Sequence, residues 1–271
     1  MAPGFTRPRG AAADDDDDRV RIDLIQDAGD VVRAFDCVCA AFGRQTNDGI
    51  WVQMNPAWDT LQGRQRAADV MVDRWRSTTR DNEGRLNSIF LKATVPSQVG
   101  PPGSDGHAAT SRDIVGIAIW QQASVVPGHG DKPPEHLAEV VNLEALHPGN
   151  EAEQRYACQL DASLRRRRIE VVKEKATAAP PAAMVLDLCA VDPAFQGRGI
   201  ATKLVRWGLD EAQRRGGIEA ITEASAMGRR VYQKLGFRQE GPEVRYDVDA
   251  EFADRKRPSN IFMRTSSSLD E

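Results

Sequence analysis

Along the chain, apolar positions fall into blocks whose spacing changes abruptly, and each change marks an expected element. Val20, Ile22 and Leu24 alternate with polar residues as one face of a strand does, and from Asp30 the spacing lengthens to helical steps that run to Phe42 and Gly43. Ala67, Ala68, Met71, Val72 and Trp75 recur at three- and four-residue steps and predict a second helix over 64–77. Two strands are expected at 88–95 and 113–122, as antiparallel neighbours joined across the Pro/Gly/Ser-rich stretch 96–111. Residues 127–134 break the pattern again. The next fifty are charged and mostly helical in spacing and end at the flexible run 176–183, so the block 124–183 reads as a helical insertion.

From Met184 the pattern sharpens. Residues 184–191 are apolar almost without interruption, as in a strand buried on both faces, with Asp187 the odd one out and Asp192-Pro193 as the stop. A glycine-containing loop follows, then a helix whose Ile200, Ala201, Leu204, Val205, Gly208, Leu209 and Ala212 share a face until Gly216-Gly217. Residues 218–224 read as a strand and Ser225 as a helix N-cap. Met227, Val231 and Leu235 form an apolar stripe, and Gly236 ends that helix. Phe237 starts another strand, and 260–264 supplies the last one.

Composition narrows the picture. At 271 residues and 41% hydrophobic content the chain supports one main domain, expected over 19–264. Disordered tails are expected at 1–18, with its acidic run Asp14 to Asp18, and at 265–271. Lys and Arg number 36 against 40 Asp and Glu, so no global field steers the protein towards nucleic acid or an anionic membrane. The run Arg165 to Arg168 is mixed with Glu153, Asp161, Glu170 and Glu174 and reads as a solvated helix. No stretch reaches the length of a signal-peptide core or a membrane span, which predicts a soluble intracellular protein, cytoplasmic with a nuclear location open. Monomer and homodimer are both open. Cys37, Cys39, Cys158 and Cys189 form no CxxC pair and read as reduced, buried thiols. His107, His129, His136 and His147 have no metal-ligand spacing, so no metal is expected.

The chemistry concentrates where strand, glycine loop and helix are consecutive. Free backbone N–H groups at the positive end of a helix dipole suit a pyrophosphate, and Gly197 and Gly199 let the backbone approach it. A structural turn is also compatible with two glycines. Lys203 follows Thr202 instead of preceding it, so a P-loop lacks its residues, whereas a dinucleotide fingerprint stays open because Glu219 lies about twenty residues on.

Residues 192–201, Asp-Pro-Ala-Phe-Gln-Gly-Arg-Gly-Ile-Ala, resemble the signature of the GNAT acetyltransferase superfamily. Val231-Tyr232-Gln233-Lys234-Leu235-Gly236-Phe237, at the family's usual separation, resembles its second signature. The resemblance covers 185–241 and, more loosely, the element order before the insertion. It implies an α/β (α+β) fold with a mixed, mostly antiparallel sheet flanked by helices, the insertion preceding the central CoA-binding strand. It implies acetyl-CoA as co-substrate, with Gln196, Gly197, Arg198, Gly199, Ile200, Ala201 and Thr202 around the pyrophosphate. A bulged strand carrying Cys189, Ala190 and Val191 would bind the pantetheine arm, with Ser225 also on the CoA. Glu223-Ala224-Ser225, then Tyr232 and Gly236-Phe237, resemble the local style of fungal or bacterial puromycin-modifying acetyltransferases.

Acetyl transfer to an amine needs a neutral nucleophile, oxyanion stabilisation and a proton for the departing thiolate. Tyr232 resembles the family's general acid; on an apolar helix face it also reads as core. Donation from a phenol of pKa about 10 to a thiolate of about 8.5 is uphill, so Tyr232 would act mainly as a hydrogen-bond donor unless its pKa is lowered. Asp187 is the first candidate base and Glu223 the second, although arylalkylamine acetyltransferases place a histidine at the position of Asp187; a buried, paired carboxylate is the other reading of Asp187. The expected activity is N-acetylation of a small-molecule amine in a ternary complex. Acetylation of a protein lysine or N-terminus, and a non-catalytic acyl-CoA-binding module, are the alternatives.

Overall fold

The apolar run that ends at Val191 becomes the central strand, and the other elements are arranged about it. The computed structural model describes residues 20–97 and 111–265. The tails expected at 1–18 and 265–271, save Thr265, lie outside the described residues, as do His107 and most of the 96–111 connection.

Seven strands form one sheet in the order β1-β2-β3-β4-β5-β7-β6. They are β1 (Arg21–Leu24), β2 (Ser88–Pro96), β3 (Arg112–Ala123), β4 (Ala183–Val191), β5 (Glu219–Ser225), β6 (Phe237–Glu243) and β7 (Asn260–Thr265). All neighbours are antiparallel except β4 and β5. The helices are α1 (Ala28–Val38), α2 (Gly49–Met54), α3 (Leu61–Arg76), α4 (Leu143–Leu146), α5 (Glu151–Glu174), α6 (Ile200–Arg214) and α7 (Arg229–Lys234). The sheet is mixed, mostly antiparallel and flanked by helices, as expected.

Side chains alternate along β3, so Ile117 and Ile119 face one layer while Ala118 and Trp120 face the other. On the first face α1 and α3 lay Val31, Phe35 and Val72 against Phe90, Ile117 and Ile119. On the second, α6 lays Ile200, Leu204 and Val205 against Leu91, Trp120 and Met184. Each such buried side chain contributes about 1.5–3 kcal/mol. Gly208 allows α6 this approach, because a Cβ there would stand 1.9 Å from the Trp120 ring. The insertion helix α5 packs on the first face through Val171 and Val172, against Ala123, Val185, Ile221 and Phe262.

Several local expectations need correction. The second predicted helix begins at Leu61, where Thr60 Oγ1 accepts from Gly63 N–H, and a π-helical turn over Cys39–Gln45 and the six-residue α2 precede it. Ser225 is the last residue of β5; α7 starts at Arg229 with Gly228 at its N-cap, and Met227 is exposed. Cys37 and Cys39 are buried, but Cys158 and Cys189 are only half-buried. Within the arginine run, Arg166 is solvated whereas Arg168 turns inward and is buried.

Candidate active site

Asp192 closes β4 locally: its N–H donates to Val115 O at 2.9 Å and its carboxylate accepts from Ala194 N–H at 2.8 Å. The chain then turns through Gly197 (φ +78°) and Gly199 (φ +77°), both left-handed. An L side chain is strained at such angles, which accounts for the glycines. Gly199 is the N-cap of α6 and supplies no side-chain cap, so the first N–H groups of a fifteen-residue helix stay free for an anion.

β4 and β5 pair in parallel at Ala183/Glu219, Met184/Ala220 and Val185/Ile221, and beyond that register they part. Thr222 Oγ1 donates to Leu186 O at 2.9 Å where they separate. Past this point Cys189, Ala190 and Val191 pair with β3 on one side and line an open cleft on the other. The cleft is part of a cavity of about 660 Å³, within the usual range for ligand sites. It begins at Gln196, Gly197 and Gly199–Thr202, continues past Ser225 and Tyr232, and ends between residues 45–49 and 256–259.

Tyr232 lines this cavity from α7, its ring packed on Gly228 and 5.8 Å from that of Phe237. Burial, reinforced by Cys189, pushes its phenol well above the ordinary value, and burial pushes the Cys189 thiol up to about 12. Tyr232 therefore stays protonated and can donate a hydrogen bond into the cavity; its pKa is not lowered. The side chain of Arg198 does not line the cavity. It folds back over the Phe195 ring, 5.1 Å away, so any role of Arg198 at an anion falls to its backbone.

The two carboxylates expected to act as bases lie elsewhere. The register against β3 slips between Leu186 and Leu188, so Asp187 is the extra residue of a β-bulge, ahead of the 189–191 segment where a bulge was expected. The bulge turns both Asp187 and Leu188 towards the α3/α5 face. There Arg168 Nη1 donates to Asp187 Oδ1 at 2.6 Å and Arg74 Nη2 to Asp187 Oδ2 at 2.8 Å. Arg168 Nε also donates to both oxygens of Glu223 at 3.1 Å. Burial pushes the Asp187 carboxyl up, but Arg74, Arg168 and Arg165 together hold it well below the usual carboxylate range. Asp187 is thus a poor proton acceptor, and neither it nor Glu223 lines the cavity.

The carboxylate that does line it is Asp48, at the N-cap of α2, where it accepts from Ile50 and Trp51 N–H at 3.0 Å. Burial raises its pKa against the opposing pull of those two N–H groups. Asn47-Asp48-Gly49 reads as a turn, which hid both the cap and the carboxylate. Lys234, Lys256 and Arg257 line the same cavity and were also not anticipated. Among the described residues no cluster of three His, Cys, Asp or Glu is arranged to hold a metal ion, and no helix is long and apolar enough to cross a membrane.

Residues 169–237 match the Acetyltransferase (GNAT) family. The fold is similar to that of a mosquito arylalkylamine N-acetyltransferase like 5b, at 12% identity and a TM-score of 0.54, over 91% of this chain and 99% of the other. It is similar to an agmatine N-acetyltransferase at 13% identity and a TM-score of 0.55, over 91% and 98%. It is also similar to a Drosophila melanogaster polyamine N-acetyltransferase at 13% identity and a TM-score of 0.54, over 90% and 97%. Among proteins of curated function, none matches the sequence significantly.

Proposed function

We propose that the protein transfers the acetyl group of acetyl-CoA to the amine of a small molecule by direct attack within a ternary complex. The observation that carries this reading is one continuous cavity that joins an uncapped helix N-terminus, a splayed strand edge, a protonated phenol and, among the described residues, a single lining carboxylate.

The residues suit each part of acetyl-CoA. The N–H groups from Gly197 to Thr202 would hold the pyrophosphate, and the free edge of β4 at 189–191 would hydrogen-bond the pantetheine arm and polarise the thioester carbonyl. The amine enters from the Asp48 end and passes its proton to that carboxylate, directly or through water, as its nitrogen attacks the carbonyl carbon. Collapse of the tetrahedral adduct breaks the C–S bond. The departing sulfur is stabilised by a hydrogen bond from the Tyr232 hydroxyl and leaves as the thiol, taking the second proton that the nitrogen gives up as the amide forms, relayed through that hydroxyl or water.

A small acceptor is favoured over a polypeptide because the N-terminus of α2 packs against the segment before β7: a Cβ on Gly49 would stand 2.7 Å from Lys256 O. That contact narrows the acceptor end. Asp48 favours a cationic amine, in line with the agmatine, polyamine and arylalkylamine enzymes that share the fold. The local likeness of 223–237 to puromycin-modifying enzymes adds an aminonucleoside as a second acceptor class.

The test is CoA binding by calorimetry, followed by thiol release from acetyl-CoA across a panel of agmatine, a polyamine, an arylalkylamine, puromycin and a lysine peptide. We expect CoA to bind and at least one small amine to be acetylated. Absence of CoA binding overturns the reading, and turnover of the peptide alone would replace the small-molecule acceptor with a protein.

A further inference from the structure

We infer that Arg168, supplied by the insertion helix α5, is a positioning residue that fixes the width of the β4/β5 cleft. It does so by bridging Asp187 on one strand and Glu223 on the other.

The parallel ladder ends at Val185/Ile221, so past that point no backbone pairing sets the distance between the strands. Asp187 lies two residues beyond the last pair on β4, and Glu223 two residues beyond it on β5. Both carboxylates are buried, with side-chain exposures of 10% and 4%, and left to themselves they would repel. The guanidinium of Arg168, 6% exposed, sits between them, with Nη1 on Asp187 and both Nε and Nη2 on Glu223. A guanidinium is planar and presents its donors in a rigid fork, so beyond the Thr222–Leu186 hydrogen bond the separation of the strands is fixed by one flat group. Arg74 of α3 holds the second oxygen of Asp187 and keeps that carboxylate turned to the network. The cleft opens just beyond this network and is lined two residues further along β4 by Cys189 and two residues further along β5 by Ser225. The insertion thereby acts on the CoA arm without touching it.

The inference rests on the acetyl-CoA reading, and the experiment separates the two. CoA affinity is measured by calorimetry on the full chain as wild type, Arg168→Lys, Glu223→Gln and, as control, Asp247→Asn, well below each unfolding temperature. Arg168→Lys keeps the charge and loses the fork; Glu223→Gln keeps the shape and carries the test alone if the lysine variant does not fold. Asp247→Asn removes an exposed partner of Arg166 on the same helix. Both network variants should weaken CoA binding by about tenfold or more, the equivalent of about 1.4 kcal/mol. The control should bind as wild type. A purely structural role predicts a lower Tm with unchanged Kd in the network variants, and that result overturns the inference. Failure of the wild type to bind CoA overturns the acetyltransferase reading instead.

Discussion

Gln45 and Gln196 meet amide to amide: each Nε2–H donates to the other's Oε1 at 2.9 Å, and Gln196 Nε2 also donates to Val191 O at 3.0 Å. The pair joins the end of the π-helical turn to the first residue of the glycine loop. Asp48 lies three residues beyond Gln45, so one short segment borders both the glycine loop and the carboxylate that lines the cavity. Rare π-helical geometry of this kind tends to occur at functional sites.

Gln45→Leu removes the clasp and leaves Gln196 held by Val191 O alone. Exposed hydrogen bonds stabilise little, so Tm should hardly move. CoA affinity should fall about fivefold, the equivalent of roughly 1 kcal/mol. Calorimetry with CoA measures it, and an unchanged Kd would mean the loop holds its shape without the clasp.

Gly199→Val tests the loop itself. A Cβ at this position meets nothing within 4 Å, so the cost is not a clash with the protein; it is the left-handed φ of +77°. A β-branched residue resists that conformation by about 1–2 kcal/mol and projects a side chain where the anion should sit. The protein should remain folded, with CoA affinity reduced at least tenfold. Native-like binding in Gly199→Val would remove the loop from the site.

Tyr232→Phe removes a hydroxyl from a buried ring and leaves the contact with Phe237 in place. Loss of assistance to the leaving group should lower kcat by about 10²- to 10⁴-fold, while acetyl-CoA affinity stays within a few-fold. Because burial raises the phenol's pKa, the wild-type enzyme should show no alkaline loss of activity from Tyr232 ionisation below about pH 10. Normal turnover by the variant would make Tyr232 a core residue.

Asp187→Asn is expected to act on stability and, through Arg168, on CoA affinity, and not on proton transfer. Its folded pKa is depressed, so the stability it contributes is present above the unfolded value of about 3.9 and is lost as pH falls through the folded value. Removing one member of a buried charge network typically costs about 3–5 kcal/mol, and the drop in Tm should be large at neutral pH and shrink in acid. Differential scanning calorimetry from pH 3 to 7 follows this, and turnover per folded molecule should change equally at all pH values. A rate loss concentrated at low pH would restore Asp187 as the base.

These residues also mark how far the sequence could be read. The run 184–191, the glycines at 197 and 199 and the stripe on α6 were legible because each depends on local periodicity or a left-handed turn. Asp187 stood out as polar in an apolar strand, but its partners are 113 residues back in Arg74 and 19 back in Arg168, and the bulge that aims it has no local signal. The alternating charges around Arg168 predict a solvated side chain, whereas its burial follows from where α5 crosses the sheet. Asp48 lay in a turn-like tripeptide before a helix of six residues, too short for its period to register.

Asp48→Asn gives the sharpest contrast. The asparagine Oδ1 can still accept from Ile50 and Trp51 N–H, so α2 keeps its cap. What is lost is a proton acceptor whose pKa burial has raised above 3.8. In the wild type, kcat/KM should fall in acid as Asp48 takes up its proton; in the variant that limb should vanish and the residual rate should climb with the free-amine fraction, about tenfold per pH unit below an amine pKa near 10.4. At neutral pH the loss should be about 10²- to 10⁴-fold. The sign for stability is opposite to that of Asp187. A raised folded pKa means the contribution is full below the unfolded value and is lost as pH rises through the folded one, so Asp48→Asn should be as stable as wild type or more so at neutral pH. A stable, slow variant with an altered acid limb identifies Asp48 as the base, whereas an unchanged pH profile would leave deprotonation of the amine to water.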